Sequence, residues 1–206
     1  MLADDFNSAH LHHRELDGSI CRFADGIEVP AESFPGVIGV APEEYGRLDT
    51  FPPRSNGGNL DTRDLVSGST AWLPIHADGA LFSIGDCHAA QGDGEVCGTG
   101  VESPMTATIR LTVRNDIQIA EFQARRRTQP ALTESEVHIT TAHGPDLFAN
   151  AQNATRYMIE WLGKNRGLEP ADAYLLCSTA ANLRISEIVD APNWVVSLHF
   201  PLDIFR

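Results

Sequence analysis

Apolar and polar positions along this chain follow two different periods. "TATIRLTV" alternates strictly, with Ala107, Ile109, Leu111 and Val113 on one face and Thr106, Thr108, Arg110 and Thr112 on the other. That period of two predicts a half-buried strand, because successive strand side chains point to opposite faces. "DIQIAEFQA" follows through the turn "RND" and is expected to pair with it, while "EVHITTA", "STAWLPI" and "GALFSIGD" read as further strands. The period then changes. In "GPDLFANAQNATRYMIEWLGKNRGL", Leu147, Ala151, Ala154, Met158 and Leu162 recur at spacings of three and four, with Pro145 and Asp146 at the start and Gly167 at the end. This predicts a helix. "EPADAYLLCSTAANL" predicts a second, with Pro170 in its first turn, and "NWVVSLHFPL" a closing strand stopped by Pro201. Residues 1–60, punctuated by proline and glycine, predict loops and short strands. Strands early and helices late predict an α+β fold, β-rich with barrel- or sandwich-like sheets and two helices in the C-terminal third. A single domain over 1–206 is expected, divisible into a β-rich part (1–130) and an α/β part (131–206).

A chain of 206 residues can bury roughly 70% of its unfolded surface, so it needs no disulfide staples. Cys21, Cys87, Cys97 and Cys177 form no CxxC pair and are expected to be free thiols of a cytoplasmic protein. The N-terminus lacks a basic region followed by an apolar run, and no window holds eighteen apolar residues, so neither a signal peptide nor a membrane span is expected. The net charge of −13 disfavours nucleic acid and anionic membranes as partners, but accommodates a small neutral substrate or a divalent cation. Lys164 is the only lysine, at the end of the first expected helix, where it suits the helix dipole; a catalytic lysine has almost no candidate.

Candidate chemistry concentrates in "GALFSIGDCHAAQGDGEVCGTGVE", residues 79–102. Its first seven residues read as a strand that delivers Asp86 to its end. Asp86 and His88 stand two apart, as do Asp93 and Glu95, and an extended backbone places each pair on one face. The small residues between them let the chain fold back. Upstream, Asn59 and Asp61 follow two glycines, and Glu102 closes the segment. Oxygen ligands with one imidazole suit zinc, or calcium or magnesium at an all-oxygen position. Ordinary Asp-Gly turn chemistry accounts for the same residues equally simply. "GDGEVCG" misses the dinucleotide-binding spacing, and no lysine follows as a P-loop requires. Cys87 points away from His88 on a strand, Cys97 stays open as a nucleophile in a folded loop, and a small packed residue is the default reading of both. His143, just before the helix start, is a further candidate contributor, whereas His76, His138 and His199 read as ordinary strand residues and "RRR" (125–127) as a solvated turn.

Five segments together resemble the acetamidase/formamidase family: "FPGVIGVAP", "GGNLD", "GALFSIGDCHAAQGDGEVCGT", "AYLLCS" and "LRISEIVDAPNWVVS", in the family's order. The resemblance implies hydrolysis of short-chain amides of the formamide and acetamide type to a carboxylate and ammonia. It also implies a β-rich α+β fold, a metal-bearing site and an oligomer. It carries Asn59, Asp61, Asp86, His88, Gln91, Asp93 and Glu95 onto the site. Among amide-hydrolysing designs, the Ser-Ser-Lys and Glu-Lys-Cys types need a lysine that this chain does not offer, which leaves metal-assisted hydrolysis. The expected division of labour gives Asp61, Asp86 and His88 to a divalent metal, zinc first and calcium as the alternative. Glu95, with Asp93 beside it, is the expected general base, and Asn59 and Gln91 are expected to orient the amide substrate. Two departures support a second expectation, a non-catalytic or complementing subunit that works with copies of itself or with a separate N-terminal subunit. The mostly β segment that usually opens family members is not in this sequence, and Asn182 stands where an aspartate is common.

Overall fold

The computed structural model describes residues 2–13, 15–127 and 136–205. In chain order the elements are β1 (Glu15–Asp17), β2 (Ile20–Ala24), β3 (Ile27–Pro30), β4 (Phe34–Gly39), β5 (Gly57–Asn59), β6 (Thr70–Trp72), β7 (Ser83–His88), β8 (Gln123–Arg127), β9 (Glu136–Gly144), α1 (Leu147–Arg166), α2 (Pro170–Ala180), β10 (Asn182–Glu187) and β11 (Trp194–Pro201). They form three open antiparallel sheets, ordered β1-β2-β3, β5-β4-β7 and β10-β11-β9-β8-β6, and none closes into a barrel. The α+β class therefore stands, with open sheets in place of a barrel.

The five-stranded sheet carries a core on each face. Ala142, Leu198 and Phe200 pack with Ala154, Met158 and Leu162 of α1 and with Ala173 and Cys177 of α2. On the other side, Val137, Ile139, Val195, Phe122 and Ala124 meet Phe34, Ile38 and Leu60 of the β5-β4-β7 layer. Alternation along β11 explains this: Val196, Leu198 and Phe200 share one face, while Val195, Ser197 and His199 share the other. Asp146 caps α1 by accepting the Ala149 N–H at 2.9 Å, and Gly167, at φ 67°, ends it by returning its N–H to the Gly163 carbonyl. Leu147 and Ala151 of the expected stripe are only half-buried. Asn150 is buried instead, its amide donating to the carbonyls of Gly144 at 2.8 Å and Trp194 at 3.0 Å.

Several sequence expectations change, among them the pairing of "DIQIAEFQA" with residues 106–113: the strand there begins only at Gln123 and pairs with β6 and β9. Residues 106–113 form no strand, and Ile109, Leu111 and Val113 are exposed; alternation shows which face a strand would bury but does not supply the surface that covers it. The strand expected over 79–85 begins only at Ser83, because Ala80 and Leu81 take left-handed backbone at φ 56° and 52°. "RRR" lies within β8 and is not a turn: Arg126 is buried, donating to the Arg63 carbonyl at 3.1 Å and to Asp64 Oδ1 at 3.2 Å. The expected division between residues 130 and 131 lies outside the described residues.

His138 gives the sheet an acid-sensitive point. It stacks on Trp161 at 4.0 Å, neither ring nitrogen has a partner, and burial pulls its pKa down to about 3. The unfolded chain therefore binds a proton below about pH 6.5 that the folded chain refuses, and stability falls as pH drops through that range, by about 2 kcal/mol over two pH units. His138→Phe is expected to remove that contribution and flatten the dependence of urea midpoints on pH between 6.5 and 4.5. An unchanged slope would contradict it.

Candidate active site

Glycines set the backbone that brings the acids together. The Gly36 carbonyl in β4 accepts the N–H groups of both Leu60 and Asp61, each at 3.1 Å. Gly57 and Gly58, at φ 88° and 95°, turn the chain so that Asp61 lies over Gly36. A Cβ on Gly36 would collide with Asp61 Oδ1 and come within 3.1 Å of Asp86 Oδ2, so this glycine keeps open the space between two carboxylates. Gly36→Ala is expected to keep the fold by circular dichroism while weakening divalent-ion binding tenfold or more, measured by equilibrium dialysis. Wild-type affinity in that variant would contradict the role given to the space.

His88 ends β7, paired with Phe34, whose ring meets the imidazole edge-on at 5.3 Å. Its Nδ1 lies 2.6 Å from Gln91 Oε1, and Gln91 Nε2 donates to the Asp61 carbonyl at 2.5 Å. An amide oxygen only accepts, so Nδ1 carries the proton and Nε2 is left as an acceptor or metal ligand. Nε2 faces Asp86 Oδ1 at 3.6 Å and Glu102 Oε1 at 3.2 Å; Nδ1 lies 3.9 Å from Asp61 Oδ1. The chain reaches Glu102 because Val101 and Ser103 bond back to Ala89, Ala90 and Cys87.

Glu95 arrives from a different direction. Gly94 donates to the Ser186 carbonyl at 3.0 Å and accepts from Ile188 at 3.3 Å, clipping the loop to the end of β10. This places the buried Glu95 beside the buried acids Glu187 and Asp190. Glu187 Oε1 accepts the N–H groups of Val189 and Asp190, and Asn59 Nδ2 donates to Asp190 Oδ2 at 2.5 Å. Asp61 Oδ1 and Glu187 Oε2 are buried without a hydrogen-bond partner. Buried polar atoms are costly unless paired, so both mark places where a cation or polar ligand belongs. Asp61, Asp86 and Glu95 are three of the five non-glycine residues with positive φ among those described. Backbone strain of this kind concentrates at functional sites.

Burial of several carboxylates together raises their proton affinity. Glu95 is pushed up to about 7, chiefly by burial, with the His88 imidazole opposing and Asp190 reinforcing the rise. Glu187 also reaches about 7 through burial, although its two backbone N–H partners pull the other way. Asp61 is raised further, by burial first and then by Glu95 and Asp190, and Asp190 is raised by burial. Among the described residues, two groups have ligand atoms within 4.8 Å of one another: Asp61–His88–Glu95, fully buried, and Asp86–His88–Glu102, whose two acids are exposed. They share His88.

Of the residues expected at the site, Asn59, Asp61, Asp86, His88, Gln91 and Glu95 come together. Asp93 does not: it is exposed and faces Arg184 at 3.6 Å. His143 pairs with Glu121 instead, Nδ1 to Oε2 at 2.6 Å. Glu187 and Asp190 join them from outside the expected set; two acids spaced by three in the mostly apolar "ISEIVDAPNW" are the sequence signal for them.

Residues 46–206 match the Acetamidase/Formamidase family. The chain belongs to that family. It is similar to the formamidase of Methylophilus methylotrophus, 31% identical over 172 residues, covering 76% of this chain and 42% of that protein. Among solved structures it resembles the acetamidase of Yersinia enterocolitica, with a TM-score of 0.81 and 30% identity over 94% of this chain and 56% of that one. It also resembles the acetamidase of Bacillus halodurans, with a TM-score of 0.72 and 30% identity over 93% of this chain and 62% of that one. The chain thus spans about two fifths of the length of the curated family members it matches. No helix among the described residues is long and apolar enough to cross a membrane.

Proposed function

We propose that this family member carries the hydrolytic centre of a metal-dependent amidase that cleaves short-chain amides of the formamide and acetamide type to a carboxylate and ammonia. The observation that carries the reading is the buried Asp61–His88–Glu95 grouping with Asp61 Oδ1 unpartnered. The relatives named formamidase and acetamidase support the substrate class.

The donor set fits a divalent cation. Asp61, Asp86 and His88 are the proposed ligands: Gly36 leaves the space between the two carboxylates open, and Gln91 fixes the imidazole tautomer that exposes Nε2. An imidazole among carboxylates favours zinc, with calcium as the alternative. When bound, the ion supplies Lewis acidity toward the amide carbonyl and acidifies water. Glu95 takes the proton of the attacking water and delivers it to the amide nitrogen as the C–O bond forms and the C–N bond breaks, so that nitrogen leaves as ammonia and not as an amide anion. Gln91 spends both ends of its amide on His88 and the Asp61 carbonyl, so its contribution is to orient ligands. Asn59, hydrogen-bonded to Asp190, is the neutral group placed to orient the substrate amide. Ammonia release from formamide, acetamide and longer amides, with an ester as control, tests the substrate class. Turnover that is highest for formamide or acetamide supports it, and turnover of the ester alone would overturn it.

A second reading, a complementing subunit, is favoured by the exposed alternating face of Ile109, Leu111 and Val113. A second copy of the chain or a separate N-terminal subunit would pair there. An intact site with no ammonia release until such a subunit is added would establish it.

A further inference from the structure

A buried chain of side chains lies behind the acids and ties together the three segments that carry them. Asp64, three residues beyond Asp61, accepts the Thr62 hydroxyl at 3.1 Å and Arg126 Nη1 at 3.2 Å. Its Oδ2 also lies 3.4 Å from His199 Nε2. The same nitrogen is 2.9 Å from Ser197 Oγ, which is 2.7 Å from Ser186 Oγ. Ser186 immediately precedes Glu187, and its carbonyl holds the Gly94 N–H beside Glu95. Asp64, Ser186, Ser197 and His199 are each no more than 3% exposed.

His199 Nε2 is therefore the atom that joins Asp64 to the serine pair, hydrogen-bonded to Ser197 Oγ and within ion-pair distance of the Asp64 carboxylate. None of these groups is open to a substrate, and none lies in the two ligand groupings around His88. Their common property is position: one end anchors the loop of Asp61, the other the junction of Glu187 and Glu95. A buried polar network of this kind fixes geometry more than it adds stability.

We propose that His199 is a positioning residue for the hydrolytic site, holding the Asp61, Glu95 and Glu187 segments in register through Asp64, Ser197 and Ser186. The proposal rests on reading the acid cluster as that site. Its test uses the full chain and two variants. His199→Phe keeps the ring shape and removes the ring nitrogen; His199→Gln places a polar amide where Nε2 stood. Amide hydrogen exchange is read at Gly94 and Ile188, which close the Glu95 loop, against Gly167 and Ala181, which cap the two helices. In the Phe variant, exchange at Gly94 and Ile188 is expected to quicken about tenfold while the helix caps stay unchanged, and the Gln variant to remain near wild type. Zinc affinity, by equilibrium dialysis, is expected to drop about tenfold or more in the Phe variant alone. If the wild-type chain takes up no zinc, the metal reading fails and the exchange comparison decides this proposal by itself. Should His199→Phe not fold, Ser197→Ala breaks the same chain and is read at the same amides. Wild-type exchange at Gly94 and Ile188 in the Phe variant, or no recovery in the Gln variant, overturns the proposal.

Discussion

His88→Ala is expected to lose both divalent-ion retention and amide hydrolysis, the latter by two orders of magnitude or more. His88 is the one imidazole in the cluster and belongs to both candidate ligand groups. It is 1% exposed, packed edge-on against Phe34, with Nδ1 held by Gln91. Its removal leaves carboxylates that burial already drives toward the protonated form. A protonated carboxyl is a poor ligand, so the remaining acids cannot recover the lost affinity. Metal content after dialysis and ammonia release, with circular dichroism as the check on folding, measure the effect. A folded His88→Ala protein that stays fully metallated and active would defeat this account of the site.

Glu95→Gln is expected to separate binding from turnover. The amide is close in shape to the carboxyl, and the loop is held by backbone bonds from Gly94 to Ser186 and Ile188 that the substitution does not touch. Metal content should therefore stay near wild type, while turnover falls by roughly a hundredfold or more, the usual share of a general base. Loss of the ion as well would move Glu95 into the ligand set, which the Asp61–His88–Glu95 grouping makes geometrically available.

Asp61 and His88 are legible in the sequence for reasons that also limit what else it reveals. Asp61 stands out because glycines precede it, and His88 because strand alternation relates it to Asp86. Asp86 comes within 3.6 Å of His88 even though it lies inside β7 with left-handed backbone, not at the end of a regular strand. The same spacing fails at Asp93. Gly94 and Glu95, at φ 89° and 45°, break the extended backbone that would have put Asp93 and Glu95 on one face. Glu187 and Asp190 reach the site through a contact between Asn59 and Asp190 that spans 131 residues of sequence, and no local period encodes it. Arg126 reads as solvated because its partners, Asp64 and the Arg63 carbonyl, lie in a distant loop. The helices were legible because capping and apolar spacing are local, as Asp146 and Gly167 show. The strand expected at 106–113 was not formed, since a strand needs a neighbour as well as a pattern.

Hydrolysis that depends on a divalent ion held by the Asp61–Asp86–His88 cluster is tested most directly by ammonia release from formamide and acetamide. The purified chain is assayed first after its divalent ions have been stripped, then after zinc is returned. Negligible release is expected from the stripped protein, with recovery on adding about one equivalent of zinc. Full release from a protein shown to hold no divalent ion would contradict it.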